Sequence, residues 1–170
     1  MKKVFMLMMV ALMTIGVSQK AQAIEDPNPK GTVVLGAQVG FLPGIGCSVF
    51  GDYVLVDSWW KGHFTVGGEF LYSHYGRRIL DSDYKLIFND FGFATRTTYG
   101  LNIISSLEVH AGILLGVGLS TWGNHNSQVG FCYGGLAGVR YFFTNQFGAT
   151  AEFQFTSYGT YTNVGVVFKF

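Results

Sequence analysis

The chain has 170 residues, a formal net charge of +1, and only 12% charged side chains beside 16% aromatic ones and 24 glycines. The charged share is about half of the ~25% usual in soluble proteins, and a near-zero net charge supplies no basic stripe for nucleic acid. After residue 23 no apolar stretch reaches the roughly 20 residues of a membrane-spanning helix, so the high hydropathy belongs either to a large core or to strands that turn one face to lipid.

In chain order, Lys2 and Lys3 form a positive start, Val4 to Val17 is almost unbroken apolar sequence, and Ala21-Gln22-Ala23 is a small-x-small site. This is the pattern of a cleaved secretory signal over residues 1–23, which leaves a single domain of residues 24–170. Ile24 to Lys30, polar and holding Pro27 and Pro29, reads as a leader ahead of the first strand.

Period-two alternation then dominates. Thr32 to Phe41 puts Val33, Leu35, Ala37, Val39 and Phe41 on one face, with Gln38 and small or polar residues on the other. Cys47 to Asp57 is a second strand, blurred because both faces carry apolar residues, and Ser58 to Gly62 closes it. His63 to Ser73 is a third, with Phe64, Val66, Phe70 and Tyr72 outward and Thr65, Gly67 and Glu69 inward. His74 to Asp90 is the longest irregular stretch; it holds either a further hairpin or extensions of its two flanking strands.

Phe91 to Leu101 is the fourth strand, with Arg96 inward, and Leu107 to Thr121 the fifth, with Glu108, His110 and several glycines inward. Trp122 to Gln128 is a polar loop. Val129 to Phe143 is the sixth strand, with Arg140 inward, and Phe147 to Ser157 is the seventh and cleanest. A turn over Tyr158 to Tyr161 feeds the last. The result is an all-β chain, an eight-stranded antiparallel up-and-down transmembrane β-barrel, with ten strands as the competing count. Connections after the second, fourth and sixth strands are short, which places both termini on the periplasmic side.

The last eight residues alternate and stop on an aromatic ring. Asn163, Gly165, Phe168 and Phe170 occupy the constrained positions of a pattern that resembles the C-terminal β-signal of bacterial outer-membrane proteins. That resemblance implies handling by a barrel-assembly machinery through the final strand. The run Gly138-Val139-Arg140-Tyr141-Phe142-Phe143-Thr144-Asn145-Gln146-Phe147-Gly148-Ala149-Thr150-Ala151-Glu152 resembles the last hairpin of small outer-membrane barrels common in Bacteroidetes, related in architecture to the OmpA transmembrane domain and to OmpX. It is specific over Gly135 to Phe170 and implies fold and an integral outer-membrane location, with lipid and lipopolysaccharide as surroundings. It does not imply one role, because such barrels differ widely in what they do.

Inward charges are the first candidate site: Asp52, Glu69, Glu108 and Glu152 with Arg96, Arg140 and Lys169. Lone charges in a narrow barrel are costly, so they are expected to pair across a filled lumen; a continuous wet path would instead make a narrow channel. Aromatic residues sort into two belts, Trp59, Trp60, Phe143, Phe147 and Phe170 at the periplasmic edge, and Phe41, Tyr72, Phe91, Phe93, Trp122, Phe131 and Tyr158 at the outer one. Cys47 and Cys132 are expected on well-separated strands, so a bridge requires an infolded loop.

His125-Asn126-Ser127 has the spacing of lipid A deacylases, but the next acid is Glu152, a strand away, so no catalytic residues are assigned. Neither the scattered histidines nor Asp81-Ser82-Asp83 makes a metal-ligand pattern, and no metal or cofactor is expected. The remaining candidate is the stretch His74 to Asp90, with Tyr75, Arg77, Arg78, Tyr84 and Lys85 as the contact residues. It is suited to a surface protein or glycan, or to lipopolysaccharide phosphates. The function read from this is structural or adhesive, with a channel, an accessory subunit of a secretion or transport complex, or a lipid A-modifying enzyme as the alternatives.

Overall fold

A computed structural model describes residues 28–41, 44–60, 62–78, 85–123 and 126–170. The expected signal segment lies outside them. Eight strands follow one another: β1 (Val33–Phe41), β2 (Ile45–Trp59), β3 (Gly62–Arg78), β4 (Lys85–Ile104), β5 (Leu107–Trp122), β6 (Asn126–Phe142), β7 (Phe147–Thr156) and β8 (Gly159–Lys169). Each is antiparallel to the next, and β1 pairs β8 to close the barrel. The seam ends on a reciprocal pair, Val33 N donating to Phe170 O at 3.0 Å and Phe170 N to Val33 O at 2.9 Å.

Alternation decides which face goes where. Along β7 the odd positions Phe147, Ala151, Phe153 and Phe155 are exposed and the even positions Gly148 to Thr156 are buried. The exposed face of the barrel is a continuous apolar band including Leu35, Val39, Phe70, Phe93, Leu115, Val117, Val139 and Phe153. A surface of that kind is untenable in water and suited to hydrocarbon, which makes the fold a transmembrane barrel.

β2 was the blurred strand, and its register shows why. The pairing with β3 shifts between Val54 and Val56 and again before Trp59, so the alternation changes phase at a bulge. Val54 is buried inside while Leu55 and Val56 are both exposed.

The count is eight and not ten, because His74 to Asp90 extends β3 and β4. Tyr75 faces Phe88, Gly76 faces Ile87, Arg77 faces Leu86 and Arg78 faces Lys85. β3, β4, β5 and β6 therefore run for 17, 20, 16 and 17 residues, against 10, 11 and 9 for β7, β8 and β1.

The barrel rim is consequently lopsided at the end away from the termini. β6 pairs β5 from Asn126 onward but pairs β7 only from Gly134, opposite Thr156. Its first eight residues rise above the β7–β8 turn as the edge of a four-stranded wall. At ~3.4 Å per residue that wall stands roughly 25 Å along the strand.

Candidate functional site: the filled lumen and the raised rim

Six of the seven charged residues expected inside meet at mid-height. β4 delivers Arg96, whose Nε lies 2.9 Å from Asp52 Oδ1, Nη1 2.9 Å from Glu69 Oε2 and Nη2 3.0 Å from Glu152 Oε1. β6 delivers Arg140, which reaches Asp52 Oδ2 at 2.6 Å and Glu108 Oε1 at 3.1 Å. Asp52 thus bridges the two guanidiniums. Both arginines are 0% exposed, and the planar, fork-like donors of arginine suit several carboxylates at once. The Phe50 ring lies beneath them, 4.0 Å from Arg96 Cζ and 5.3 Å from Arg140 Cζ.

Lys169 is not part of this cluster. It is the last residue of β8, close to the terminal rim, and its ammonium sits 4.5 Å over the Phe142 ring. Inward orientation was legible from the alternation; height in the barrel was not.

Four residues join the cluster that charge alone did not nominate. His110 Nε2 is 2.9 Å from Glu152 Oε1, and His63 Nε2 is 3.6 Å from Glu108 Oε2. Gln154 Nε2 donates to Glu69 Oε1 at 2.8 Å, and Asn28 Nδ2 donates to Glu108 Oε2 at 2.8 Å. Asn28 belongs to the leader ahead of the first strand, and it is buried within the terminal end. His110 already reads as inward from the alternation of the fifth strand, and His63 could have been found by carrying the inward parity of Thr65 two residues back along β3.

Apolar layers close the lumen on both sides of the ions. Val34, Phe50, Phe142 and Val167 form the layer toward the termini, and Ala94, Leu114, Cys132 and Leu136, with Tyr158 packed on them, form the other. Leu114 and Leu136 face inward among glycines, a substitution of bulk for charge that the sequence reading passed over. The cavity below the far mouth is about 30 Å³, room for one or two waters.

At that mouth the raised wall turns an ordered inner face toward the axis. Tyr75, Phe88, Trp122 and Asn126 are directly opposed across β3, β4, β5 and β6. Tyr75 and Phe88 stack at 5.2 Å with an 8° interplanar angle, and Phe88 and Trp122 at 6.0 Å with 30°. The next row down is Ser73, Asp90, Ser120 and Gln128. Below it Tyr158 leans in from the β7–β8 turn onto Gly118, where any larger side chain would collide with its ring, and lies beside Gly130, where a Cβ would stand 3.3 Å from its hydroxyl.

Trp122 and Tyr158 are therefore not part of an outer lipid-facing belt, as their positions in sequence suggested. The strand parity that carries Glu108 and His110 inward carries Trp122 inward as well. The other belt residues do face out: Phe41, Phe91, Phe93 and Phe131 at the far end, and Trp59, Trp60, Phe143, Phe147 and Phe170 toward the termini. Tyr141, Phe143, Phe147 and Phe168 make a chain of ring contacts at 5.4, 5.9 and 5.1 Å along that edge. Trp60, at φ 52°, holds the β2–β3 turn with its carbonyl accepting from the Tyr99 hydroxyl at 3.1 Å.

Of the hairpin residues, Tyr75 is in the aromatic row, Arg77, Arg78 and Lys85 are placed by their backbone on paired positions, and Tyr84 lies outside the described residues. In the C-terminal pattern, Asn163 is buried, Gly165 packs against the Ala37 carbonyl, and Phe168 and Phe170 point outward. His125 and Asp81 to Asp83 are also outside the described residues. Glu152, the acid nearest to Ser127 downstream, is committed to Arg96 and His110.

No protein-family model matches this chain, and no curated protein matches its sequence. The structure nevertheless defines its class, the eight-stranded up-and-down transmembrane barrel, and solved barrels of that class superpose on it. Neisserial surface protein A is 16% identical with a TM-score of 0.59, over 83% of this chain and 98% of that one. The N-terminal β-barrel domain of Pseudomonas aeruginosa OprF is 20% identical at 0.55, over 83% and 98%. Ail, the attachment invasion locus protein of Yersinia pestis, is 13% identical at 0.54, over 83% and 99%, in a complex with the heparin analogue sucrose octasulfate.

Proposed function

We propose that this chain is exported with a cleaved signal over residues 1–23, is assembled through its C-terminal strand by the barrel-assembly machinery, and resides in the bacterial outer membrane with periplasmic termini. Its role is structural and adhesive, exerted through the raised wall and the β3–β4 hairpin. The observation that carries this reading is the combination of a lumen filled at mid-height with a wall that rises on one side only. A filled barrel has no path to conduct through, and the residues spent on lengthening β3 to β6 serve no need of the membrane-spanning part.

The wall supplies contacts of two kinds. Along β6, Tyr133 N meets Ser157 Oγ at 3.4 Å and Ser157 Oγ donates to Phe131 O at 2.9 Å, so the odd-numbered backbone groups face the open side. Above that corner the edge is free to pair with a strand of another protein, beside Val129 and Phe131, exposed by 73% and 80%. Arg77, Arg78 and Lys85 bring positive charge to the hairpin tip, suited to lipopolysaccharide phosphates.

Replacing residues 77–86 with Asn-Gly joins the paired positions Gly76 and Ile87 and removes the tip without touching the barrel. The variant is expected to keep its heat-modifiable gel shift while cells lose surface binding. Unchanged surface binding and unchanged envelope integrity would contradict the proposal.

A further inference from the structure

We propose that the terminal rim carries a headgroup site for an anionic glycerophospholipid, filled from the membrane leaflet on the side of the termini. Lys169, the inward lysine that the hub leaves aside, stands on one wall of a cleft of about 480 Å³ at that rim. A volume of that size takes a phosphodiester with its glycerol. The β4–β5 turn supplies Ser105 and Ser106 to the cleft, and the β6–β7 turn supplies Thr144 and Asn145. The Phe142 ring lies beneath the ammonium at 4.5 Å.

Backbone pairing holds these walls in place. Phe142 N donates to Ser106 O at 2.8 Å and ties one turn to the other. Phe143 N and Thr144 N both reach Phe147 O, at 2.9 and 3.2 Å, and Lys169 N donates to Gln146 O at 2.7 Å. Two turns and the end of β8 are thereby fixed around one opening.

Every polar side chain on those walls can donate a hydrogen bond. Lys169 brings charge and three N–H groups, Asn145 an amide and the two serines hydroxyls. Thr144 is the most restricted. Its Oγ1 accepts from Gln146 N at 3.3 Å and from Phe147 N at 2.9 Å, which uses both lone pairs and leaves the hydroxyl hydrogen for a ligand. No Asp or Glu lines the cleft among the described residues, and Phe170, beyond Lys169, pairs with Val33 on the far side of β8. Donors grouped around a cation suit phosphate oxygens. The same walls offer no counter-charge to an ethanolamine or choline cation, so an anionic headgroup is favoured over a zwitterionic one.

The outer side of the cleft is what makes the phosphate a lipid's. Tyr141 and Phe143 line it from the lipid-facing side of the rim. Phe143 is 57% exposed and begins the run of ring contacts to Phe147 and Phe168. Aromatic rings at a barrel edge lie at headgroup level. A lipid whose acyl chains run along Phe143 and Phe147 therefore brings its phosphate to Lys169 across the rim.

Native mass spectrometry of the refolded mature chain tests this, with phosphatidylglycerol, phosphatidylethanolamine or phosphatidylcholine of the same acyl chains added at equal concentration in detergent. One phosphatidylglycerol is expected to stay bound, about tenfold or more above the other two. Lys169→Gln is expected to remove that preference, and Lys169→Arg to keep it. Lys30→Gln, which changes an exposed lysine at the same end but outside the cleft, is expected to have no effect. Should Lys169→Gln lose its heat-modifiable shift, Ser105→Ala with Asn145→Ala checks the same walls, with an expected loss of about threefold or more. Equal retention of the three lipids, or a preference that survives Lys169→Gln in a folded barrel, would overturn the proposal. So would an equal loss with Lys30→Gln, which would mean general charge attraction. Displacement of the lipid by equimolar inorganic phosphate would make the site one for a free anion and would overturn it as well.

Discussion

Arg96 on β4 and Glu152 on β7 face each other across the lumen, joined by Nη2 to Oε1 at 3.0 Å and Nη1 to Oε2 at 3.5 Å. The strands are not neighbours, so this pair ties opposite walls of the barrel. The same guanidinium holds Asp52 and Glu69. It is the positive hub around which three carboxylates converge.

Arg96→Met is accordingly expected to destabilise the barrel by about 3–5 kcal/mol, because it leaves buried carboxylates facing one another without compensation. Urea unfolding in phospholipid vesicles, followed by tryptophan emission, measures this. Adding Glu69→Gln and Glu152→Gln to Arg96→Met is expected to restore a large part of the loss. A triple variant no more stable than the single one would show that packing, not charge, explains the cost.

Gly36 bears on the same hub from below. A methyl group there would fall onto the Phe50 ring, which lies under both arginines. Gly36→Ala is expected to cost about 1–3 kcal/mol through overpacking. Gly68→Ala, whose added carbon would meet only the Ala94 carbonyl at 3.9 Å, is expected to change stability by less than about 0.5 kcal/mol.

Cys47 on β2 is exposed and Cys132 on β6 is buried in the lumen, and both are free. Migration on a non-reducing gel is expected to match the reduced form. A thiol reagent added to folded barrel in detergent should modify one cysteine, and two after urea. Modification of neither cysteine before reduction would indicate the bridge that the register argues against.

The edge of β6 makes a prediction at single amides. Parity from Tyr133 assigns the N–H groups of Ser127 and Val129 to the open side and those of Gln128 and Gly130 to β5. Hydrogen exchange is expected to be fast at Ser127 and Val129. It should be strongly slowed at Val139 and Tyr141, where the same parity points into β7. Equal protection along β6 would mean that the edge is covered.

Within the lipid-facing band, parity was legible on every strand but β2, because outward positions had to be apolar while most lumen positions took glycine, polar or charged groups. That requirement is why Asp52, Glu69, Arg96, Glu108, Arg140 and Glu152 could all be oriented from sequence. On the raised wall it is lost: Tyr75, Phe88 and Trp122 are inward aromatics, so the stretch from His74 read as irregular. Long-range height was equally hidden. Lys169 and Glu152 share an inward parity, yet one ends at the terminal rim over Phe142 and the other at the hub. Asn28 carried no periodic signal at all, and its place beside Glu108 follows from the shape of the closed barrel.

The central claim is that the ionic hub and its apolar layers fill the lumen, and planar-bilayer conductance of the refolded mature chain tests it most directly. A barrel shown to be folded by its heat-modifiable shift is expected to give no step-like current. Steady unitary conductance from the same folded preparation would contradict the account and make Arg96, Arg140 and their carboxylates the lining of a path.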